Sequence, residues 1–255
     1  MRSFRLLTAA ALLGGLAMAP LAAAPNPTIA QAVAATANRS ADNVALDAGR
    51  KPAELLSFFG VRRGMRILDM FGLNGYWAEI NAPVVGPRGL VTVWQPTQFY
   101  TQHGLDTWQK GAGRLSNVAV IVSPFEAPVW PDRAYDFALI NLDYHDTYWQ
   151  SAQRGIPRMD PNAFVQKLFA AIKPGGVVGV VDHVAVAGSD PRQSVEALHR
   201  IDPAIIRADF ERAGFKLEAE SPLLRNPADD HSKLVFDKSI RGQTDRVVYK
   251  FRKPR

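Results

Sequence analysis

The chain contains no cysteine. Disulfides, thiolate metal sites and cysteine nucleophiles are excluded together. It has no clustered run of lysine or arginine, although its formal charge is +6. A mild basic excess spread along the chain reads as a solvated surface, so no nucleic-acid partner is expected. It has no internal repeat and no composition break. Its 255 residues therefore fit one domain with a sizeable core. It also has no His-x-x-x-His pair, the tight spacing that makes a metal motif specific.

What is present begins with an address. Arg2 and Arg5 precede LLTAAALLGGLAMAPLAAA, an apolar run broken by Gly14, Gly15 and Pro20. The pattern is that of a bacterial secretory signal over residues 1–32. Small residues allow cleavage after Ala24 or after Ala32. Pro25 disfavours the first, and Ala30-Gln31-Ala32 is the cleaner site. The run is marginal for a membrane span. The expectation is a periplasmic or secreted protein with no stable membrane insertion after cleavage.

Residues 40–255 read as the domain. Short unbroken apolar strands alternate with helices: strands at 65–68, 90–94, 117–124, 137–142, 177–181, 215–220 and 246–251. Helices are expected over 40–59, 76–82, 105–110, from Asp160-Pro161 onward, and over 192–213. This alternation predicts an α/β, Rossmann-like, doubly wound sheet covered on both faces.

The most informative stretch is RILDMFGLNGYWAE, residues 66–79. A buried strand carries Asp69 at its end. A loop with Gly72, Asn74 and Gly75 follows, and a helix opens at Tyr76. Left-handed backbone at Asn74 and Gly75 brings bare amides close to a ligand. An acid there meets a ribose hydroxyl or a cation.

The order of these pieces resembles the class I S-adenosylmethionine-dependent methyltransferases. The markers are Asp69 to Tyr76, Lys173-Pro174-Gly175-Gly176 and Ala213-Gly214-Phe215. A branch of predicted exported bacterial methyltransferases is similar in Arg50-Lys51-Pro52, Tyr144-His145-Asp146, Asp182-His183, Leu198-His199-Arg200-Ile201-Asp202, Asp229-Asp230-His231 and Arg252-Lys253-Pro254. The resemblance implies a seven-stranded sheet whose last strand runs antiparallel between the fifth and sixth. It implies S-adenosyl-L-methionine as cofactor, held by Asp69, Gly72, Asn74, Gly75, Tyr76 and Gln95. It also implies methyl transfer to a small-molecule acceptor. Phe71 and Leu73 stand where the family has glycines, and Gln95 stands where it has an acid. These departures and the export signal define a second reading, an exported binding protein that keeps the fold without catalysis.

Ligands of open α/β sheets lie beyond the carboxyl ends of the strands. His145 and His183 each follow a central strand and each neighbours an acid. Either is a candidate base. Asp146 and Asp182 can orient a ring, and Tyr144 can contact the substrate. His145, Asp146, Asp182, His183, Asp229, Asp230 and His231 also offer imidazole and carboxylate donors. Without tight spacing among them, no metal is expected. Arg50 is read as an ion-pair partner or an anchor for the cofactor carboxylate.

Overall fold

The computed structural model describes residues 27–255. The expected export leader falls mostly on residues 1–26, outside the described residues. Seven strands form one sheet in the order β3-β2-β1-β4-β5-β7-β6. They are β1 (Arg66–Met70), β2 (Leu90–Pro96), β3 (Val118–Ser123), β4 (Tyr135–Asn141), β5 (Ile172–His183), β6 (Lys216–Glu220) and β7 (Arg246–Arg252). β7 runs antiparallel to both β5 and β6, and the remaining pairs are parallel. This is the seven-stranded Rossmann-like sheet that the family resemblance implies.

The central strands are apolar at successive positions because both sheet faces are covered. Ile67, Phe137, Leu139, Val181 and Val248 face one layer. It is built on α1 (Pro27–Ala34), α4 (Pro52–Phe59), α5 (Tyr76–Val85) and α6 (Gln102–Lys110). Leu68, Ala138, Ile140, Val180 and Tyr249 face the other. That layer is built on α7 (Pro161–Ala171) and α9 (Pro203–Arg212). The packed body takes in α1, ahead of residue 40, with Ile29 fully buried.

Local chemistry moves several expected boundaries. The helical stretch at 40–59 is three pieces: α2 (Ala41–Val44), α3 (Asp47–Arg50) and α4. Lys51 is left-handed at φ 47, which ends α3, and Pro52 at the first position of α4 starts the next helix. The stretch at 192–213 is α8 (Pro191–Leu198) and α9, separated by left-handed His199 at φ 51. Ile201 between them bridges to Val184, just past β5. Lys173-Pro174-Gly175-Gly176 is an irregularity inside β5 with a register shift against β4, rather than a turn before the strand.

The linker from β6 to β7 is pinned by ion pairs. Asp229 forms a bidentate pair with Arg200 at 2.9 and 3.0 Å, and both side chains are essentially buried. Arg200 also donates to the carbonyls of Lys233 and Val184. His231 Nε2 lies 3.0 Å from Asp245, which also accepts from Arg225. The pair thus clamps the linker to the end of β5. Asp229→Ala strands a buried guanidinium, and the expected loss is about 3–5 kcal/mol in urea unfolding. The neighbouring, exposed Asp230→Ala leaves the midpoint nearly unchanged.

Candidate functional site

Asp69 is fully buried, and neither carboxylate oxygen has a hydrogen-bond partner among the described residues. Burial pushes its carboxyl up to about 7, with Arg50 opposing. Gly72 is required beside it: a Cβ there would lie 2.5 Å from Asp69 Oδ2. The left-handed residues of this loop are Phe71 at φ 56 and Gly75 at φ 77. Asn74, expected to be left-handed, is not; its Oδ1 accepts the Tyr76 amide at 3.1 Å. A left-handed Phe is strained. Aromatic packing holds it there, with ring centroids 5.4, 5.2 and 5.3 Å from Trp94, Phe99 and Phe125.

Leu73 is buried, and its amide donates to Gln95 Oε1 at 3.2 Å. The Gln95 carbonyl is thereby used to hold the loop. A neutral amide accepts this bond without placing a charge in a buried position. Leu73 and Gln95 are buried on the β1–β2 side, and Phe71 is half-buried beside them.

The β4–β5–β7 side is open. A cavity of about 770 Å³ is lined there by Arg50, Leu142, His183, Phe236, Thr244 and Arg246, among others. Arg50 is set by its own helix. Arg39 pairs with Asp47 at 2.7 and 2.8 Å, and Asp47 accepts the Tyr76 hydroxyl at 2.8 Å. That net lays the Arg50 guanidinium 4.3 Å from the Tyr76 ring centroid. Among the described residues, Arg50 makes no side-chain hydrogen bond or ion pair. Arg246 is buried, and among the described residues only its Nε is engaged, 3.3 Å from the Thr244 carbonyl. Burial, with Arg50 adding to it, lowers Arg246 to about 10. Buried charges are ordinarily paired. Two free guanidinium groups on one cavity mark it as a place for anions.

Behind the cavity stands Asp182, fully buried at the end of β5. It accepts the amides of His145 at 2.8 Å and His183 at 2.7 Å, and the His145 ring at Nδ1 at 2.7 Å. Burial opposes a charge on His145, but Asp182 and Asp146 outweigh it and push the imidazole up to about 9. His183 is the reverse: burial, and then His145 and Arg246, hold it well below its ordinary value. Its Nδ1 lies 2.7 Å from Thr244 Oγ1. Asp146 Oδ1 is buried and accepts no hydrogen bond among the described residues.

The structure thus gathers His145, Asp146 and His183 behind one strand edge. Tyr144, expected to meet the substrate, is fully buried and donates to Asp209 of α9 at 2.7 Å. Its hydroxyl serves packing and is directed out of the site. Tyr76 is also fully buried, and its ring is a floor for Arg50. Sequence reasoning missed Arg246 and Thr244, which carry no local motif. It noted His199 only as part of a marker, yet that ring lies 5.5 Å from His145.

No family model matches the chain. The ubiquinone/menaquinone biosynthesis C-methyltransferase UbiE of Serratia proteamaculans is 26% identical over 123 residues, 48% of this chain and 44% of that protein. The chain therefore spans less than half the length of this curated relative. A SAM-dependent methyltransferase from Aquifex aeolicus superposes with a TM-score of 0.56 at 17% identity, covering 88% of this chain and 97% of the other. The [4+2]-cyclase SpnF superposes at 0.55 and 18% identity, covering 81% of each. The protein has the class I S-adenosylmethionine-dependent methyltransferase fold. One of these neighbours is a cyclase, so the scaffold alone does not fix the reaction.

Asp69 has a direct consequence for stability. Between the ordinary carboxylate range and about 7, the folded chain holds a proton that the unfolded chain has released. Stability falls as pH rises through that window. The ligand-free Tm should drop between pH 5 and pH 8 more steeply in the wild type than in Asp69→Asn. Parallel melting curves would show that Asp69 is already ionised.

Proposed function

We propose that this chain transfers a methyl group from S-adenosylmethionine to a small anionic acceptor. The observation that carries the reading is the pairing of opposites at the end of β1. Asp69 has two orphaned acceptor oxygens, and Arg50 has free donors and feels the Asp69 charge without bonding to it. An α-ammonium and an α-carboxylate on one carbon would satisfy both. The amino-acid end of the cofactor has these two groups.

The cofactor supplies a sulfonium methyl, and its transfer is a displacement that depends on alignment. Arg50 holds the carboxylate of that amino-acid end. Arg246, the second free guanidinium, holds the anionic group of the acceptor. His183 lines the same cavity, anchored by Thr244, and takes the acceptor's proton where one must leave.

The ribose end finds less. Gln95 is engaged by Leu73, so a nucleoside must compete with that bond, and weak cofactor affinity is expected. The engaged Gln95 and the two free guanidinium groups also support a second reading, an anion-binding protein without transfer activity. Export to the periplasm fits the leader. Cleavage after Ala24 keeps α1 whole, whereas cleavage after Ala32 removes the buried Ile29.

Calorimetry with S-adenosylhomocysteine tests the cofactor reading. Binding should weaken by about 10-fold or more in Asp69→Asn and in Arg50→Met. It should stay within about 2-fold in Arg246→Met. No binding at about 1 mM ligand overturns methyl transfer. Thermal protection by sulfate that depends on Arg246 would then identify the second reading.

A further inference from the structure

Three side chains from two separate segments converge beside the cavity. His145 and Asp146 lie in the turn after β4, and His199 ends α8. Asp146 Oδ1 is 3.5 Å from His145 Nε2 and 3.7 Å from His199 Nδ1. One donor atom from each of the three residues lies within 4.8 Å of the other two. Donors bound to one tetrahedral ion at 2.0–2.1 Å stand about 3.4 Å apart. The cluster already has nearly that spacing.

Its surroundings are built for the same purpose. Asp182 takes the His145 Nδ1–H, so that ring presents Nε2 to the cluster. This is the carboxylate–histidine arrangement that orients metal ligands. Asp146 Oδ1 is buried with no hydrogen bond, although two imidazoles border it. His199 is held in left-handed backbone at φ 51, a position at a helix end that favours glycine. The adjacent Arg200, locked to Asp229, fixes it there. Trp149 and Phe236 flank the His199 ring at 5.0 and 5.1 Å. Phe236 also borders the 770 Å³ cavity.

We propose that His145, Asp146 and His199 bind a divalent first-row transition-metal ion. Two imidazole nitrogens and one carboxylate select ions such as Zn²⁺, Fe²⁺ or Mn²⁺ over Mg²⁺ and Ca²⁺. Three protein ligands leave a position for water or a ligand oxygen, the pattern of reactive rather than structural sites. The proposal needs no adenosyl cofactor and stands apart from methyl transfer. It assigns His145 to an ion and leaves His183 as the imidazole facing the acceptor.

The test uses full chain expressed without a histidine tag, stripped with a chelator and titrated with ZnCl₂ in a calorimeter. One ion per chain should bind with a Kd of about 1 μM or tighter. His199→Gln and Asp146→Asn should each weaken binding by about 100-fold, and Asp182→Asn by about 10-fold. Far-UV circular dichroism checks that each variant is folded. Co²⁺ should give visible absorption bands in the wild type that vanish in His199→Gln. A folded wild type that takes up no Zn²⁺ overturns the proposal. Zn²⁺ uptake unchanged in folded His199→Gln and Asp146→Asn does so too.

Discussion

The carboxylate of Asp182 is the constraint on which the site depends. It is buried at the end of β5 and accepts three hydrogen bonds, from two backbone amides and one ring. A buried anion with fewer donors would be costly, so the turn after β4 must wrap onto it. That wrapping decides where His145 points and therefore what Asp146 and His199 can form with it. The second buried pair, Arg200 with Asp229, does the same for the opposite wall. It draws the long β6–β7 linker over the sheet edge and sets His199 and Phe236 beside the cavity. The two pairs turn separate segments into one rigid rim.

Within that rim, the two sides of the topological switch point have parted. On the β1–β2 side, apolar burial has replaced open backbone. Phe71 accepts left-handed strain in exchange for three aromatic contacts, and Gln95 secures the loop as a neutral acceptor. On the β4–β5–β7 side, charge is left without partners. Arg50 and Arg246 are held in place by neighbours that do not neutralise them. Folding energy is forgone at each of these groups, and ligands of matching charge recover it. The open side is consequently the place where binding selectivity is concentrated.

Much of this was legible in the chain. The strand alternation and the antiparallel last strand implied by family resemblance match the fold, whereas the loop after β1 is left-handed at Phe71 and Gly75 and not at Asn74. The candidate residues after β4 and β5 lie together because strand ends of a parallel sheet share one edge. Tyr144 was misjudged because its hydroxyl direction depends on Asp209, 65 residues away. Arg246 was overlooked because an arginine opening a strand looks like any solvated charge. The metal reading was set aside for want of tight spacing, and His199 was absent from it. Nothing in one dimension links position 199 to position 145.

The sequence by itself determined the layers, the order of elements and the exclusion of thiol chemistry. These follow from local periodicity, turn residues and composition, which neighbours in the chain settle among themselves. Only the tertiary structure decided which charges are paired and which are left free. That choice turns on distances of a few ångströms between strand ends and loops far apart in sequence. Buried ion pairs and orphaned carboxylates are properties of the packed edge, and no segment carries them alone.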